Sequence, residues 1–294
     1  MSMSPIHHPI QGFSRPIHHV RPEILACCLV IWVFIGCGVP SQPQAEIPAA
    51  ASRESLTTFD STWSESGVMV RVVVNDPGGK QDLLLLPGWN FPIRHWEDST
   101  RVLELAAQGG WNVVMPEMKK SIYHLQTYPD TRKDWRSEKG LPWLADTLIP
   151  KLQLEFGILL PEHRVKVMGL STGGRGAVAL AVYKRGLVGE VVSLSGDFST
   201  LQFPNDNLYR GYFGELRDHE DIWQAEDLCL ASLPSGVKVL LVHGEEDDVV
   251  PILHSELLSK SLTDRKHPCG FKRIPGAGHS YALWAAWIDS ALTR

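Results

Sequence analysis

The sequence lacks the features that mark several broad classes of protein. Only two of its five cysteines, Cys229 and Cys269, lie beyond residue 37, so a dense disulfide framework is excluded. No cysteine or histidine pair has zinc-binding spacing, and no metal site is expected. The 28 Lys and Arg residues are outnumbered by 33 Asp and Glu residues, which gives no basic footprint for nucleic acid. Whether the two remaining cysteines pair stays open, with two unpaired thiols as the simpler expectation.

The N-terminal segment, residues 1–37, differs from the rest of the chain. A basic stretch precedes an apolar run at residues 24–36, which is shorter than the about 20 residues that a membrane-spanning helix needs. This pattern is typical of a secretory signal. The run ends at Phe34-Ile35-Gly36-Cys37, which resembles the lipobox of bacterial lipoproteins and implies a lipid on Cys37. We therefore expect an exported, membrane-anchored lipoprotein that faces the periplasm or the cell exterior. An uncleaved N-terminal membrane anchor is the alternative.

Residues 38–62 are rich in Pro, Gln, Ala and Ser and show no apolar periodicity, so they are predicted to form a flexible linker. The domain is predicted to occupy residues 63–294. The chain as a whole is 44% hydrophobic and 21% charged, which suits a globular domain with a large core. At residues 68–74 valines alternate with other residues, which predicts an exposed or edge strand.

Beyond residue 80, short apolar runs alternate with segments of helical spacing. Strands are predicted at residues 83–86, 113–115, 165–170, 191–194, 239–242 and 271–274, and helices at 96–108, 142–156, 172–185, 251–263 and 280–292. Such alternation predicts an α/β fold whose mostly parallel central sheet is covered by helices on both faces. Functional residues are expected where strands end, because ligands of such sheets bind at the carboxyl ends of the strands.

Residues 197–235 are too long for a plain connection between two strands, so a cap-like insertion is predicted there. Whether it moves stays open. Its acidic side chains are expected to face water: Glu215, Asp218, Glu220, Asp221, Glu226 and Asp227.

A Gly-x-Ser-x-Gly motif lies between a predicted strand and a predicted helix. It reads Gly169-Leu170-Ser171-Thr172-Gly173 and is typical of a nucleophile elbow, in which the serine occupies a strained strand-to-helix turn. The glycines allow the neighbouring backbone to approach closely, and the helix that follows favours negative charge at its N-terminus. Ser171 is therefore the predicted nucleophile.

A serine hydroxyl needs a base to accept its proton, and that base needs an orienting carboxylate. His279 follows the last predicted strand within Gly276-Ala277-Gly278-His279-Ser280, and it is the predicted base. Asp247 follows the strand before it and is the predicted acid. Asp248, its neighbour, and Asp197, after the preceding strand, are the alternatives for the acid.

Two backbone N–H groups are expected to bind the oxyanion. One is the amide of Thr172, directly after the nucleophile. The other comes from the loop Pro87-Gly88-Trp89-Asn90, where Trp89 is the first choice and Asn90 the second. Trp89, Tyr123, Tyr281 and Trp284 are the predicted walls of the substrate pocket.

These motifs together resemble the α/β-hydrolase superfamily and, within it, the esterase D-like esterases, a group that includes S-formylglutathione hydrolases. The stretches that carry the resemblance are Leu85–Trp89, Pro116–Met118, Ser121–Tyr123, Gly169–Gly174, Ser195–Asp197, Gly211–Gly214, His243-Gly244 with Asp247, and Gly278–Tyr281. The resemblance implies an α/β-hydrolase fold and hydrolysis of an ester or thioester through an acyl-enzyme. It assigns the nucleophile to Ser171, the acid to Asp247 and the base to His279. The loop begins with Pro87-Gly88 where many relatives have His-Gly.

The predicted function is hydrolysis of carboxylic esters of small or medium acyl groups, with no cofactor. The predicted partner is a small-molecule ester, and the oligomeric state stays open. A thioesterase or serine peptidase of the same fold is one alternative. A non-catalytic surface-binding lipoprotein on a hydrolase scaffold is the other.

Overall fold

The computed structural model of the protein describes residues 58–292. These residues form one eight-stranded sheet with helices on both faces. The strands are β1 (Phe59–Glu65), β2 (Val68–Val74), β3 (Gln81–Leu86), β4 (Asn112–Pro116), β5 (Arg164–Leu170), β6 (Glu190–Leu194), β7 (Lys238–Gly244) and β8 (Cys269–Ile274). The spatial order is β1-β2-β4-β3-β5-β6-β7-β8. Strands β1 and β2 are antiparallel to their neighbours, and all other pairs are parallel.

The helices alternate with the parallel strands, as the apolar periodicity predicts. They are α1 (His95–Ser99), α2 (Val102–Gln108), α3 (Leu141–Trp143), α4 (Ile149–Phe156), α5 (Thr172–Tyr183), α6 (Asn207–Phe213), α7 (Glu220–Ala225), α8 (Leu253–Asp264) and α9 (Tyr281–Leu292). A π-helical turn, Leu144–Leu148, joins α3 to α4. The fold is therefore the predicted mostly parallel α/β architecture.

The sheet is buried on both faces because its central strands are apolar throughout. Successive side chains of a strand point to opposite faces. In β3, Leu84 and Leu86 pack into the core beneath α4, α5 and α8, whereas Leu83 and Leu85 pack into the core beneath α2 and α9. All four leucines are fully buried.

The first edge of the sheet differs from the prediction. β1 begins at Phe59, inside the residues 38–62 predicted as linker, and it pairs with β2 along its whole length. β2 therefore lies between β1 and β4 rather than at an edge, and Val70 and Val72 are fully buried. The sequence does not reveal β1 because an edge strand needs only one partly apolar face and so shows no long apolar run. In β1 this face is formed by Phe59 and Trp63. The other predicted linker residues up to 57, and the signal segment 1–37, lie outside the described residues.

The insertion at residues 197–235 carries α6 and α7 and shares a small aromatic core with residues 122–135. This core contains Ile122, Tyr128, Trp135, Tyr209, Tyr212, Phe213 and Trp223. Two acids expected to face water are instead buried. Glu226 accepts hydrogen bonds from Arg175 and Tyr128, and Asp227 accepts them from Ser199 and from backbone amides. Their buried partners are distant in sequence, so composition alone gave no sign of them.

Two further observations concern the cysteines and the helices of the described residues. Cys229 and Cys269 are both free thiols. Among residues 58–292, no helix is long and apolar enough to cross a membrane.

Candidate active site

Ser171 occupies a strained turn between β5 and α5. Its φ of 54° and ψ of −128° are unfavourable for a residue with a side chain, at a typical cost of about 1–3 kcal/mol. The turn is held by two hydrogen bonds: the Ser171 N–H donates to Leu194 O at 2.8 Å, and the Gly174 N–H donates to Ser171 O at 2.8 Å. A Cβ at Gly169 would lie 1.9 Å from Gly173 O, so this crossing requires glycine.

The N-terminus of α5 also touches the loop that follows β3. A Cβ at Gly173 would lie 2.1 Å from Leu86 O and 2.6 Å from Pro87 O, so the two backbones are in direct contact. The Asn90 N–H is taken up by Lys119 O at 2.6 Å. Within residues 58–292, the amides of Trp89 and Thr172 donate to no other backbone group. Two N–H donors are thus left free beside Ser171.

Asp247 and His279 form a hydrogen-bonded pair. Their Oδ2 and Nδ1 atoms lie 2.8 Å apart, and because a carboxylate only accepts, Nδ1 carries the proton. The other ring nitrogen, Nε2, then has a free lone pair. The Asp247 Oδ1 atom accepts from the backbone amides of Val249 and Val250 at 3.1 and 2.8 Å, which fixes the carboxylate in position.

The electrostatics of Asp247 favour its charged form. Burial raises the pKa of this carboxyl, but hydrogen bonds from His243, His279 and the Val250 N–H outweigh burial, and the pKa lies well below its usual range. The carboxylate therefore stays ionised and stabilises positive charge on an imidazole beside it.

The structure distinguishes Asp247 from the alternative acids. Asp248 is exposed, and no hydrogen bond joins its side chain to another part of the described chain. Asp197 is buried, but its Oδ2 atom accepts from the hydroxyl of Tyr209 at 2.9 Å rather than from an imidazole. Of the three carboxylates, only Asp247 is bonded to His279.

His243 also supports this site, a role that the sequence motifs did not predict. Its Nε2 donates to Val250 O at 2.8 Å and lies 3.4 Å from Asp247 Oδ2, while its Nδ1 accepts from Ser255 Oγ at 2.7 Å. The ring is fully buried. The signal that could have identified it is its position at the end of β7, four residues before Asp247.

Ser171 opens onto a cavity of about 550 Å³. Ser171, Thr172 and Trp89 form one side. The remaining lining residues come from the insertion, from the loop between β7 and α8, and from the first turn of α8: Asp197, Gln202, Phe203, Pro204, Asn205, Asp206, Leu208, Val249, Val250, Pro251 and His254. Trp89 is thus a wall of the pocket, as predicted, whereas the residues on the far side were not predicted as walls.

The other predicted pocket walls lie elsewhere. Tyr123 is buried and its hydroxyl donates to Pro87 O at 2.9 Å, beneath the loop rather than in the cavity. Trp284 is also buried; it packs edge-on against His279 and donates to Ser195 Oγ. Tyr281 packs against Phe91 and Trp284 and does not line the cavity. These three residues therefore pack beneath the loops of the site and do not line the cavity.

No hydrogen bond joins Ser171 Oγ to His279 Nε2 in the part of the chain that the structure describes. Hydroxyl–imidazole contacts of this kind are often long before substrate binds and tighten only in the complex. Among the same residues, no group of three or more His, Cys, Asp or Glu side chains is placed to hold a metal ion.

Comparison with known proteins assigns the chain to a family. The family model described as "Putative esterase" matches residues 102–293, which is most of the chain, and the protein belongs to that family. It is accordingly a hydrolase of the serine esterase type. No match was found to a curated protein sequence.

Solved structures share the fold at low sequence identity. An S-formylglutathione hydrolase from Agrobacterium tumefaciens superposes with a TM-score of 0.65 and 16% identity, covering 80% of this chain and 92% of that one. FphF, a fluorophosphonate-binding serine hydrolase of Staphylococcus aureus, gives 0.63 and 16%, covering 81% and 97%. MPT51 of Mycobacterium tuberculosis gives 0.62 and 18%, covering 83% and 97%. At these identities the likeness establishes the α/β-hydrolase fold alone.

Proposed function

We propose that the protein hydrolyses carboxylic esters of small or medium acyl groups through an acyl-enzyme on Ser171. The observation that carries the proposal is the hydrogen-bonded Asp247–His279 pair at the end of the sheet where Ser171 occupies its strained turn. The two free amides beside Ser171 supply the oxyanion site that such chemistry needs. S-formylglutathione hydrolase activity and ferulic acid esterase activity belong to the similar structures and supply only the reaction class.

The first half of the reaction forms the acyl-enzyme. Ser171 Oγ attacks the ester carbonyl carbon while its proton passes to His279 Nε2. The oxygen of the tetrahedral intermediate takes the negative charge and accepts hydrogen bonds from the amides of Trp89 and Thr172. The intermediate then collapses, and the alcohol leaves with the proton held by His279.

The second half repeats these steps with water. His279 accepts a proton from water as the water oxygen attacks the acyl carbon. The proton then passes to Ser171 Oγ as the carboxylic acid leaves. Throughout, the ionised Asp247 orients the imidazole and stabilises its cationic form.

The test is hydrolysis of p-nitrophenyl esters, from acetyl to octanoyl, by the full chain and by Ser171→Ala. Loss of the nucleophile should lower kcat by at least about 10³-fold. Ser66→Ala is the matched control, because Ser66 also has a positive φ of 51° but lies in an exposed turn between β1 and β2. Equal activity of Ser171→Ala and the wild type would exclude the proposed nucleophile.

The remaining candidates are separated by other substrates. Matched oxygen esters, thioesters and anilides distinguish an esterase from a thioesterase or a peptidase. A protein that turns over none of them, and whose Ser171 resists a fluorophosphonate probe, would be a binding protein on a hydrolase scaffold.

We further propose that the protein is exported and tethered to a membrane through a lipid on Cys37. The support is the sequence pattern of residues 1–37. Metabolic labelling with a fatty acid should mark the protein, and the label should be lost in Cys37→Ala. Label that survives this substitution would favour another form of attachment, and absence of label would favour the uncleaved anchor.

A further inference from the structure

The cavity in front of Ser171 is lined by two buried polar side chains that the proposed chemistry does not use. They belong to His254, on the first turn of α8, and to Asp197, three residues after β6. Tyr209 contacts both of them: its hydroxyl donates to Asp197, and its ring packs edge-on against the His254 ring. The other polar residues of the far wall are more exposed than these two: Gln202, Asn205 and Asp206.

His254 is held as a neutral ring with its proton on Nε2. Its Nδ1 accepts hydrogen bonds from the backbone amides of Phe198 and Ser199 at 3.0 and 3.2 Å, so Nδ1 carries no proton. Burial lowers the pKa of His254 to about 3, and the ring is therefore uncharged at neutral pH. It also stacks on Phe203 with a centroid distance of 3.8 Å, which fixes its orientation. Across residues 58–292, its Nε2–H has no acceptor.

Asp197 retains unused capacity to accept hydrogen bonds. Its side chain is nine-tenths buried, yet it receives only one side-chain hydrogen bond, from Tyr209 to Oδ2. Within the described residues its Oδ1 atom has no partner. Burial raises the pKa of Asp197 to about 6, against the opposing effect of the Arg175 guanidinium, so the group is mostly ionised above pH 7. A buried carboxylate with so few partners is costly unless a ligand or water completes its shell.

We propose that this pair recognises a hydroxyl group, and that the natural substrates are esters with a hydroxyl in the part that enters the cavity. A hydroxyl suits the chemistry of both groups, since its O–H can donate to Asp197 and its oxygen can accept from His254 Nε2–H. An ammonium group has no lone pair for His254, a carboxylate is repelled by Asp197, and an alkyl chain leaves both groups unpaired. The inference rests on the proposed esterase function and adds its substrate class.

The hydroxyl can belong to the acyl group or to the alcohol, and two matched pairs of substrates distinguish these sources. The first pair is p-nitrophenyl 3-hydroxybutyrate against p-nitrophenyl butyrate. The second is glyceryl monobutyrate against propyl butyrate. In one pair, kcat/KM should favour the hydroxylated ester by at least about tenfold, because the ester without the hydroxyl leaves buried polar groups unpaired.

Substitution of the pair should remove this preference. His254→Asn keeps an acceptor near the position of Nδ1 but lacks the Nε2–H donor, and Asp197→Asn keeps the shape but loses the charge. Both should bring the preference ratio close to one, mainly through loss of kcat/KM on the hydroxylated ester. His219→Asn is the matched control, because His219 pairs with Asp130 on the surface and does not line the cavity, and this substitution should leave the ratio unchanged. Thermal unfolding verifies that each variant is folded.

The failure of this inference differs from failure of the proposed function. Ser171-dependent hydrolysis with a wild-type ratio near one in both pairs would overturn the hydroxyl site alone, as would a ratio that survives both substitutions. If the wild type hydrolyses no ester, the proposed function fails. Calorimetric binding of the intact esters to Ser171→Ala then decides the inference: tighter binding of the hydroxylated ester in either matched pair supports it, and equal binding within both pairs overturns it.

Discussion

At the scale of single residues, hydrogen bonds fix the orientation of the Asp247 carboxylate in the site. Asp247 is bonded at both carboxylate oxygens, to two backbone amides on one side and to His279 on the other. His243 sits behind it and bonds both Val250 O and, more weakly, Asp247. It therefore determines the shape of the turn that presents the carboxylate, without touching the reacting atoms.

We expect His243→Phe to lower kcat by about 10- to 100-fold with little change in KM, because small misplacements of catalytic groups slow the reaction without weakening substrate binding. His243→Gln retains an N–H donor for Val250 O and should keep most of the activity. Steady-state kinetics on a single p-nitrophenyl ester measures kcat and KM separately. A rise in KM with unchanged kcat in His243→Phe would show that the residue shapes the pocket instead.

At the scale of elements, a buried ion pair joins the insertion to the sheet's central helix. Arg175 of α5 donates to the side chain of Glu226, just after α7, at 3.1 Å and also to its carbonyl. Both side chains are almost fully buried. Glu226 also accepts from the Leu125 N–H and the Tyr128 hydroxyl.

Glu226→Ala should lower the free energy of unfolding by about 3–5 kcal/mol, because it leaves the Arg175 guanidinium buried without its counter-charge. Glu220→Ala is the control, since Glu220 is an exposed acid on the same insertion and should cost less than about 0.5 kcal/mol. Urea unfolding measures both. Equal, small effects would mean that the insertion is not held by this pair.

The elements that could be predicted from sequence are those whose burial is visible locally. The leucine run of β3 and the valines of β5 reveal central strands because both of their faces are covered. β1 was missed because its partner strand, rather than its own composition, makes it a strand. The buried roles of Glu226 and His254 were missed for a similar reason. Their partners are 51 and 56 residues away, at Arg175 and Phe198, and no local pattern encodes such contacts.

Motif spacing places the candidate site at the ends of the strands, but it does not show what the side chains pack against. Gly-x-Ser-x-Gly located the strained turn at Ser171 because the crossing of β5 and α5 imposes glycines at fixed spacing. Pocket walls follow no such constraint. Tyr123 and Trp284 lie close in sequence to motifs of the site, yet their rings are buried in the core.

At the scale of the whole molecule, two buried carboxylates should give the stability opposite pH dependences. The pKa of Asp247 is below its usual range in the folded state, so its stabilising effect is present above about pH 4 and is lost at lower pH. The pKa of Asp197 is raised to about 6 in the folded state, so protonation of this carboxyl stabilises the fold. This stabilisation is fully present below about pH 4 and is lost as the pH rises through 6.

The unfolding free energies of Asp247→Asn and Asp197→Asn, relative to the wild type, should therefore move in opposite directions between pH 3.5 and 8. Asp247→Asn should lose stability as pH rises. Asp197→Asn should gain relative stability over the same range, by up to about 3 kcal/mol. Urea unfolding at several pH values measures both curves. If the relative stabilities of the two variants changed in the same direction with pH, the direction of the pKa shift assigned to at least one carboxylate would be wrong.

The backbone contact between Gly173 and the carbonyls of Leu86 and Pro87 has a consequence for how the enzyme tolerates change. With no side chain between them, the turn that presents the serine and the loop that presents the second amide behave as one rigid part. Substitutions elsewhere in the core can shift this part as a unit without altering its internal spacing. Most of the far side of the cavity belongs to the insertion, which does not hold Ser171, Asp247 or His279. That part of the wall is free to diverge, and new substrates can be acquired without rebuilding the groups that cleave them.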